Sequence, residues 1–446
     1  MNLNEEYTDA FLFHPHWTDS VKVRSLIPAA VGMIFAAESL LHGRLDINRI
    51  LIITILFIAA LLQQLFSEIR RRKTSLEIRD CVLKFVSPDK EKTLVFQNTE
   101  RVEIHEKKFI RILGGTTLRI YSGNSRGAWI NVKVSNRDAE NIALRIIPLG
   151  NETGRVIQAR HSALIFAVTS QRITLLLTFS VFFTLFSGKS IPLNSVGFTL
   201  TATAFADMTI SYFRFRGLSL SRCRNGFLIR KEFFGIMRIF LPEEYVAGEV
   251  VQCSPLAELC GFGSLSLITS CGKVIRFACR VRREDLWNSA TRVLESAGVF
   301  CTKLSDNDKI RKRYASALFP ATILVILSAY FAYTAEEMLA RFILCCAGSI
   351  LTALSLRYLT GFLCSDRFGL NLSPSSFFAG GMKGLCAEFY ILRRGSVAGF
   401  CVKSSLFQRM NGLSSAVPCI SGGGPVIKCN CVSYGALNGL TARLSG

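Results

Sequence analysis

Three pairs of long apolar stretches constrain this chain more than any other feature. The first pair covers residues 25–41 (SLIPAAVGMIFAAESLL) and 50–66 (ILIITILFIAALLQQLF). The second covers 173–187 (ITLLLTFSVFFTLFS) and 191–213 (IPLNSVGFTLTATAFADMTISYF), and the third 315–333 (ASALFPATILVILSAYFAY) and 342–363. A helix crosses a hydrocarbon layer with about 20 apolar residues. Helices in a soluble core are usually amphipathic, whereas these stretches show little polar periodicity. Short turns at residues 43–48, 188–190 and 334–341 join the members of each pair. The expectation is therefore six transmembrane helices in three hairpins, with both termini on one side. Residues 1–24 carry Glu5, Glu6, Asp9 and Asp19 against Lys22 and Arg24, which does not read as a cleavable signal peptide.

The 446 residues hold 53 Lys plus Arg against 32 Asp plus Glu, a formal charge of +21, although half of them are hydrophobic. So much apolar sequence excludes a disordered chain and argues against a soluble nucleic-acid binder. The excess charge lies in the segments that follow each apolar pair: +8 in residues 67–160, +8 in residues 213–314 and +6 in residues 364–446. Basic residues next to a span mark its cytosolic end. Arg70, Arg71, Arg72 and Lys73 follow the first pair, Arg214 and Arg216 follow the second, and Lys309, Arg311, Lys312 and Arg313 precede the third. The opposite turns hold only Arg44, Lys189 and Arg341. Both termini and all three polar segments are thus expected in the cytosol, where the basic clusters also attract anionic lipid at roughly 1 kcal/mol per residue.

The remaining chemistry is sparse. Fifteen cysteines occur without a C-x-x-C spacing, which suggests neither a disulfide framework nor a zinc site. Of the five histidines only His14 and His16 are close in sequence, and HPHW reads as a polar interfacial segment. Gly422 to Gly424 lead into a strand and lack the Lys-Ser/Thr of a phosphate-binding loop. No catalytic residue, cofactor or metal is expected, and the chain does not read as an enzyme. Asp207 and Arg357 lie within apolar stretches, where ionisable groups are costly. They form a candidate intramembrane pair; the alternative is that Arg357 snorkels and Asp207 sits in head-group water.

The three polar segments share an order of elements. A shift of 147 residues lays Phe109, Gly114 and Leu118 on Leu256, Gly261 and Leu265; a shift of 151 lays Gly261 and Ser264 on Gly412 and Ser415. The resulting pattern, FIRILGGTTL, LAELCGFGSL and LFQRMNGLSS, makes Gly114, Gly261 and Gly412 the repeat glycines. Short strand-like runs precede and follow it, including 218–223, 227–231, 237–241 and 246–251, and the alternating AWINVKV at 128–134. Each segment then closes with one predicted helix, at 136–147, 283–297 and 434–444.

Hairpin, basic stretch, short strands, the apolar-x4-Gly-x3 pattern, a glycine turn such as SGGG and a final helix together resemble the bacterial pleckstrin-homology-like membrane proteins with three tandem hairpin-plus-domain units (the YdbT type). The third segment departs from the pattern at SPSSFFAGGMKG (373–384). The resemblance implies membrane α-helical hairpins plus α+β domains: six transmembrane helices in three hairpins, each followed by a curled antiparallel sheet or barrel with a C-terminal helix. The implied boundaries are a terminal segment and hairpin at 1–66, domains at 67–150, 214–300 and 364–446, and hairpins at 161–213 and 314–363. The implied work is lipid or protein binding and scaffolding at the inner leaflet of the bacterial cell membrane, in an envelope-related process. A six-span transporter or channel and a peptide-capturing assembly factor are the alternatives.

Overall fold

The computed structural model describes residues 11–16, 30–38, 47–79, 81–107, 115–123, 128–151, 157–158, 164, 167, 170–186, 191–232, 235–259, 263–277, 302–303, 306–372, 376–404, 413–420 and 429–433. The chain divides into two compact units. One takes in residues 1–151, 223–228 and 234–242; the other takes in 152–222, 229–233 and 243–446.

In the first unit, β1 (Phe11–Phe13) lies antiparallel on β2 (Ser75–Arg79), which continues through β3 (Val82–Ser87) to β4 (Lys90–Val95). Between β1 and β2 runs α1 (Ile47–Arg72), apolar until it closes on Arg70, Arg71 and Arg72. Residues 30–38 are also helical, and a Cβ at Gly32 would touch the Phe57 ring at 3.4 Å. A second sheet starts with β5 (Thr99–Lys107), β6 (Gly115–Ser122) and β7 (Ile130–Ser135). The alternation of AWINVKV is realised: Ile130, Val132 and Val134 are buried beside Val102, Ile104, Leu118 and Ile120. A period of two puts all of these on one face of the sheet. Helix α2 (Asn136–Ile146) covers that face with Ala139, Ile142, Ala143 and Ile146. Its first turn is closed by Ser135, whose hydroxyl accepts from the Asp138 amide at 3.1 Å.

Three short strands follow, β8 (Ile157–Gln158), β9 (Leu218–Cys223) and β10 (Gly226–Glu232), with α3 (Gln171–Phe186) and α4 (Ile191–Arg216) between β8 and β9. The next strand, β11 (Gly235–Pro242), belongs to the first unit and lies antiparallel along the outer edge of β5, with Phe240 opposite Val102 and Gly235 opposite Lys107. The chain then enters the second unit through a 3₁₀ turn at Glu243–Tyr245.

There, β12 (Val246–Cys253) leads through α5 (Pro255–Leu259) to β13 (Ser264–Thr269) and β14 (Val274–Phe277). After β15 (Thr302–Lys303) come α6 (Asn307–Thr334), α7 (Met338–Leu363), β16 (Gly369–Leu372), β17 (Ser376–Lys383) and β18 (Cys386–Arg393). Strand β18 lies antiparallel along the outer edge of β12, with Gly248 opposite Leu392 and Glu249 opposite Ile391. A last sheet contains β19 (Val397–Lys403), β20 (Leu413–Ile420) and β21 (Cys429–Ser433), in that order.

The β5–β11 and β12–β18 ladders share one register. The two sequence offsets between segments, the first applied to Val102 and the second to Phe240, turn that pair into Glu249 and Ile391, which face each other in the second ladder. The 3₁₀ turns between third and fourth strands, Phe96–Asn98, Glu243–Tyr245 and Arg394–Ser396, are separated by the same two offsets. Each is followed by a register shift, at Thr99/Arg101, Val246/Gly248 and Val397/Gly399.

The expected architecture needs two corrections. Three helices, rather than six in three hairpins, are long and apolar enough to cross a membrane among the described residues: 50–72 of α1, α6 and α7. Helix α3 has only 16 residues. Helix α4 has 26 but spreads Asn194, Ser195, Thr199, Thr203 and Asp207 along its length, which dilutes its hydropathy. Of the apolar stretch at 25–41, only 30–38 are described. Secondly, the soluble segments do not each close one curled sheet or barrel. Among the described residues the strands form four separate antiparallel sheets, because the 3₁₀ turn breaks pairing between the third and fourth strands and a strand from another segment takes the open edge. The predicted terminal helix is seen as α2; those at 283–297 and 434–444 lie outside the described residues, whereas 376–383 of the departing third segment form β17.

The packing of the first unit sets two expectations. Leu118→Ala removes a fully buried side chain and should cost about 2–5 kcal/mol, whereas Leu144→Ala, at a 47 % exposed position, should cost far less. Proteolysis midpoints in detergent would compare them. His16 donates its backbone amide to the Lys133 carbonyl at 2.7 Å, and burial, then Arg71 and Lys133, hold its imidazole below the ordinary histidine range. A depressed pKa stabilises the neutral form, so docking of residues 11–16 should be firm above pH 6.5 and weaken as pH falls below it. Hydrogen exchange at β1 should show this loss in the wild type and a flatter profile in His16→Gln.

Candidate functional site

The second unit gathers four apolar or mixed helices among the described residues, and their side chains explain why they meet. Helices α6 and α7 pack closely at Gly361, where a Cβ would collide with the Tyr314 ring. Helix α3 meets α7 at Gly348, where a Cβ would collide with the Phe182 ring. It meets α4 at Gly197, where a Cβ would lie 2.6 Å from Thr184 Oγ1. Small residues at the points of approach let helix backbones come close together. Phe182, Phe183, Leu193, Ala332 and Cys345 fill the centre, and Ser180 donates to the Gly197 carbonyl at 3.1 Å.

Between α3, α6 and α7 the packing leaves a groove of about 630 Å³, with Leu256 of α5 in its wall. Thr174, Thr178 and Thr352 line it beside Phe182, Val325 and Leu356. Their hydroxyls do not face an occupant: they donate to the carbonyls of Ser170, Thr174 and Gly348 at 3.0, 2.8 and 2.8 Å. The wall is therefore methyl, methylene and aromatic carbon. A groove of this size takes a ligand with hundreds of Å³ of apolar volume and offers no nucleophile or base.

Two residues after Leu256, α5 carries the buried Glu258, with Arg367 3.8 Å away. Cys253 and Cys364 share this carboxylate, and burial, reinforced by Glu258, pushes both thiols up. Burial likewise pushes Cys429 up to about 12. Such thiols stay protonated and do not act as nucleophiles at neutral pH. Among the described residues, no group of three His, Cys, Asp or Glu side chains is placed to hold a metal.

The basic residues singled out in the sequence take their places at helix ends. In α1, Arg70 pairs with Asp89, Arg71 reaches Glu68 at 2.8 Å and the Pro15 carbonyl at 2.9 Å, and Arg72 reaches Glu68 at 3.2 Å. Lys73 is exposed just beyond. Arg214 and Arg216 close α4, with Arg216 5.9 Å from the Tyr212 ring. At the start of α6, Lys309 lies 3.5 Å from Asp306, Arg311 stacks over Phe362 at 4.9 Å, and Lys312 and Arg313 are exposed. Arg357 is half-buried in α7. Its expected pairing with Asp207 is replaced: Asp207 lies 3.5 Å from Arg172, on the neighbouring helix α3. The reason is proximity within one helix pair, since Arg172 opens α3 where α4 nears its end. The repeat glycines Gly114, Gly261 and Gly412 lie outside the described residues.

Sequence reasoning missed a buried charged network in the first unit. Arg101 is 2 % exposed and donates to Glu100 at 2.8 Å and Glu103 at 2.9 Å. Its guanidinium lies 3.6 Å from the centre of the Tyr121 ring, whose hydroxyl donates to Glu103 at 3.2 Å. His105 meets the same carboxylate at 3.1 Å. Burial, then Glu103, raises the Tyr121 pKa. The signal was present in TERVEIHEK, where Val102 and Ile104 alternate with Arg101, Glu103 and His105. Such an alternation describes a strand with one apolar and one charged face, but it cannot say that the charged face is buried.

Gly348→Val should force α3 and α7 apart and destabilise the bundle by about 1–3 kcal/mol through overpacking, with partial rescue by Phe182→Ala. Gly395→Ala, where nothing lies within 4 Å of a Cβ, serves as the control in thermal melts in detergent. Equal stability of Gly348→Val and wild type would remove this helix contact. No protein-family model, curated protein or solved structure matches this chain.

Proposed function

We propose that this chain is a multi-pass protein of the bacterial cell membrane that holds strand-rich modules against the anionic inner surface of the bilayer, as a non-enzymatic scaffold. The observation that carries the reading is the placement of charge on the apolar helices. α1 ends in Arg70–Arg72, α4 ends in Arg214 and Arg216, and α6 begins with Lys309, Arg311, Lys312 and Arg313, so every basic cluster joins a helix to a strand-rich segment. This asymmetry supports a cytosolic location for those segments and for both termini. The exposed members of each cluster supply attraction to anionic head groups.

The resemblance to the pleckstrin-homology-like proteins is carried forward for the strand-rich segments alone. Three strands, a 3₁₀ turn, a register shift and three further strands recur at the two offsets that relate the segments in sequence, and this supports reading them as an internal threefold repeat. A fold likeness does not transfer a ligand, so the head-group preference rests on the charge.

Two measurements test the reading. A cytosol-dependent reporter fused after Gly446 should be active in the wild type. It should lose activity when Lys309, Arg311, Lys312 and Arg313 are replaced by Glu, since the flanks of α6 would no longer favour the cytosolic side. In nanodiscs, anionic phosphatidylglycerol should slow hydrogen exchange in the strands next to the helices, compared with neutral phosphatidylcholine, and salt at about 0.5 M should erase the difference by screening. Equal exchange in both lipids would exclude head-group binding and leave a protein partner as the scaffold's ligand.

A further inference from the structure

The fourth strand of a segment has its outer edge paired twice in this chain, each time by the third strand of the following segment. Strand β11 pairs with β5, and β18 pairs with β12 in the same register. The corresponding fourth strand of the last segment is β19, since the offset between the second and third segments carries Val246 onto Val397. Strand β19 ends its sheet, and no strand lies on its outer edge among the described residues. Glycine positions show the contrast directly. A Cβ at Gly248 would collide with the Ile391 carbonyl oxygen of β18, whereas at Gly399, the equivalent position, nothing lies within 4 Å. Val251 of β12 is 1 % exposed and its equivalent in β19, Val402, is 38 % exposed.

At the other end of the chain, a third strand has the complementary vacancy. Strand β4 corresponds to β11 and β18, and it ends the β1–β4 sheet without a partner strand on its outer edge among the described residues. Lys90, Glu91, Thr93 and Val95 of β4 are exposed, whereas every residue of β18 except Arg393 is buried. Among the described residues, each molecule therefore carries one open fourth-strand edge and one open third-strand edge. Open edges with unpaired amides and carbonyls are templates for another strand.

We propose that β4 of a second copy of this chain adds to β19, continuing the ladder geometry already used twice within one molecule. The shared register places Gly399 opposite Leu94, Phe400 opposite Thr93, Cys401 opposite Lys92 and Val402 opposite Glu91. Phe400 and Leu94 then fall on opposite faces of the ladder, and each keeps the core on which it already packs. Lys403 comes opposite Lys90 and ends the ladder, because like charges facing each other are unfavourable. The contact is head-to-tail rather than two-fold, so copies add on as an open row or close into a ring. A second copy is the occupant because its edge repeats the strand position and register that this chain already pairs; a foreign peptide shares neither.

The inference rests on the threefold reading of the strand-rich segments but not on lipid binding or on which side the segments face. A misplaced reporter would defeat the proposed function and leave the following test intact. In native membranes under mild oxidation, Lys92→Cys should form disulfide-linked dimers and larger multiples through the native, exposed Cys401. Cys401→Ser in the same background should abolish them, and Glu91→Cys, which points to the other face, should give a weaker yield in place of Lys92→Cys. Lys403→Glu should raise the yield roughly two- to fivefold by removing the Lys–Lys contact. Protease-resistant fragments like those of the wild type would establish that each variant folds. Subunit counting of labelled wild-type protein in vesicles gives a measurement without substitutions, and multiples are expected. Monomers alone, folded Lys92→Cys without Cys401-dependent multiples, or capture of a different protein by Cys401 would each overturn the proposal.

Discussion

Backbone pairing along the outer edges of β5 and β12 is the interaction on which the rest of the chain's organisation depends. A strand edge left in water is tolerable, but a buried one must find partners for its amides and carbonyls. Here a 3₁₀ turn interrupts pairing between the third and fourth strands of each segment, so neither strand can satisfy the other. β11 and β18 supply the missing partners. The second polar segment is thereby divided, with β11 in one compact unit and β12 in the other. The boundaries of the two units therefore fall within the polar segments and not at the apolar stretches.

A different principle governs the helices. Close approach joins them: α3, α4, α6 and α7 meet where Gly197, Gly348 and Gly361 let side chains come against the backbone. The threonines of α3 and α7 turn their hydroxyls onto their own helices, which leaves the groove between them apolar. Asp207 pairs with Arg172 of the adjacent helix α3, and not with the residue that an offset between segments would select.

Polar groups in the strand-rich parts are handled by concentration. Glu100, Arg101, Glu103, His105 and Tyr121 share hydrogen bonds on β5 and β6, and in β5 the charged residues alternate with Val102 and Ile104. Burying a charge is costly unless partners surround it, and removing one partner leaves the others uncompensated. Truncating any one member would therefore destabilise the fold through the partners left unpaired. In the second unit Glu258 and Arg367 play the corresponding part beside thiols that burial keeps protonated.

Local patterns in the sequence determined a good deal. Residue-level hydropathy located α1, α6 and α7, because about twenty apolar residues in a row have few uses other than crossing a hydrocarbon layer. The alternation of AWINVKV located β7, since a period of two fits only an extended chain with one buried face. The two offsets that align the polar segments anticipated the spacing of the 3₁₀ turns and of the two ladders. Tertiary structure alone decided that Asp207 meets Arg172, that the charged face of β5 is buried, and that strands of one segment complete the sheet of another. The physical reason is range. Hydropathy and periodicity are properties of neighbouring residues, whereas ion pairing, burial of a polar face and pairing of a strand edge depend on which distant residue lies alongside.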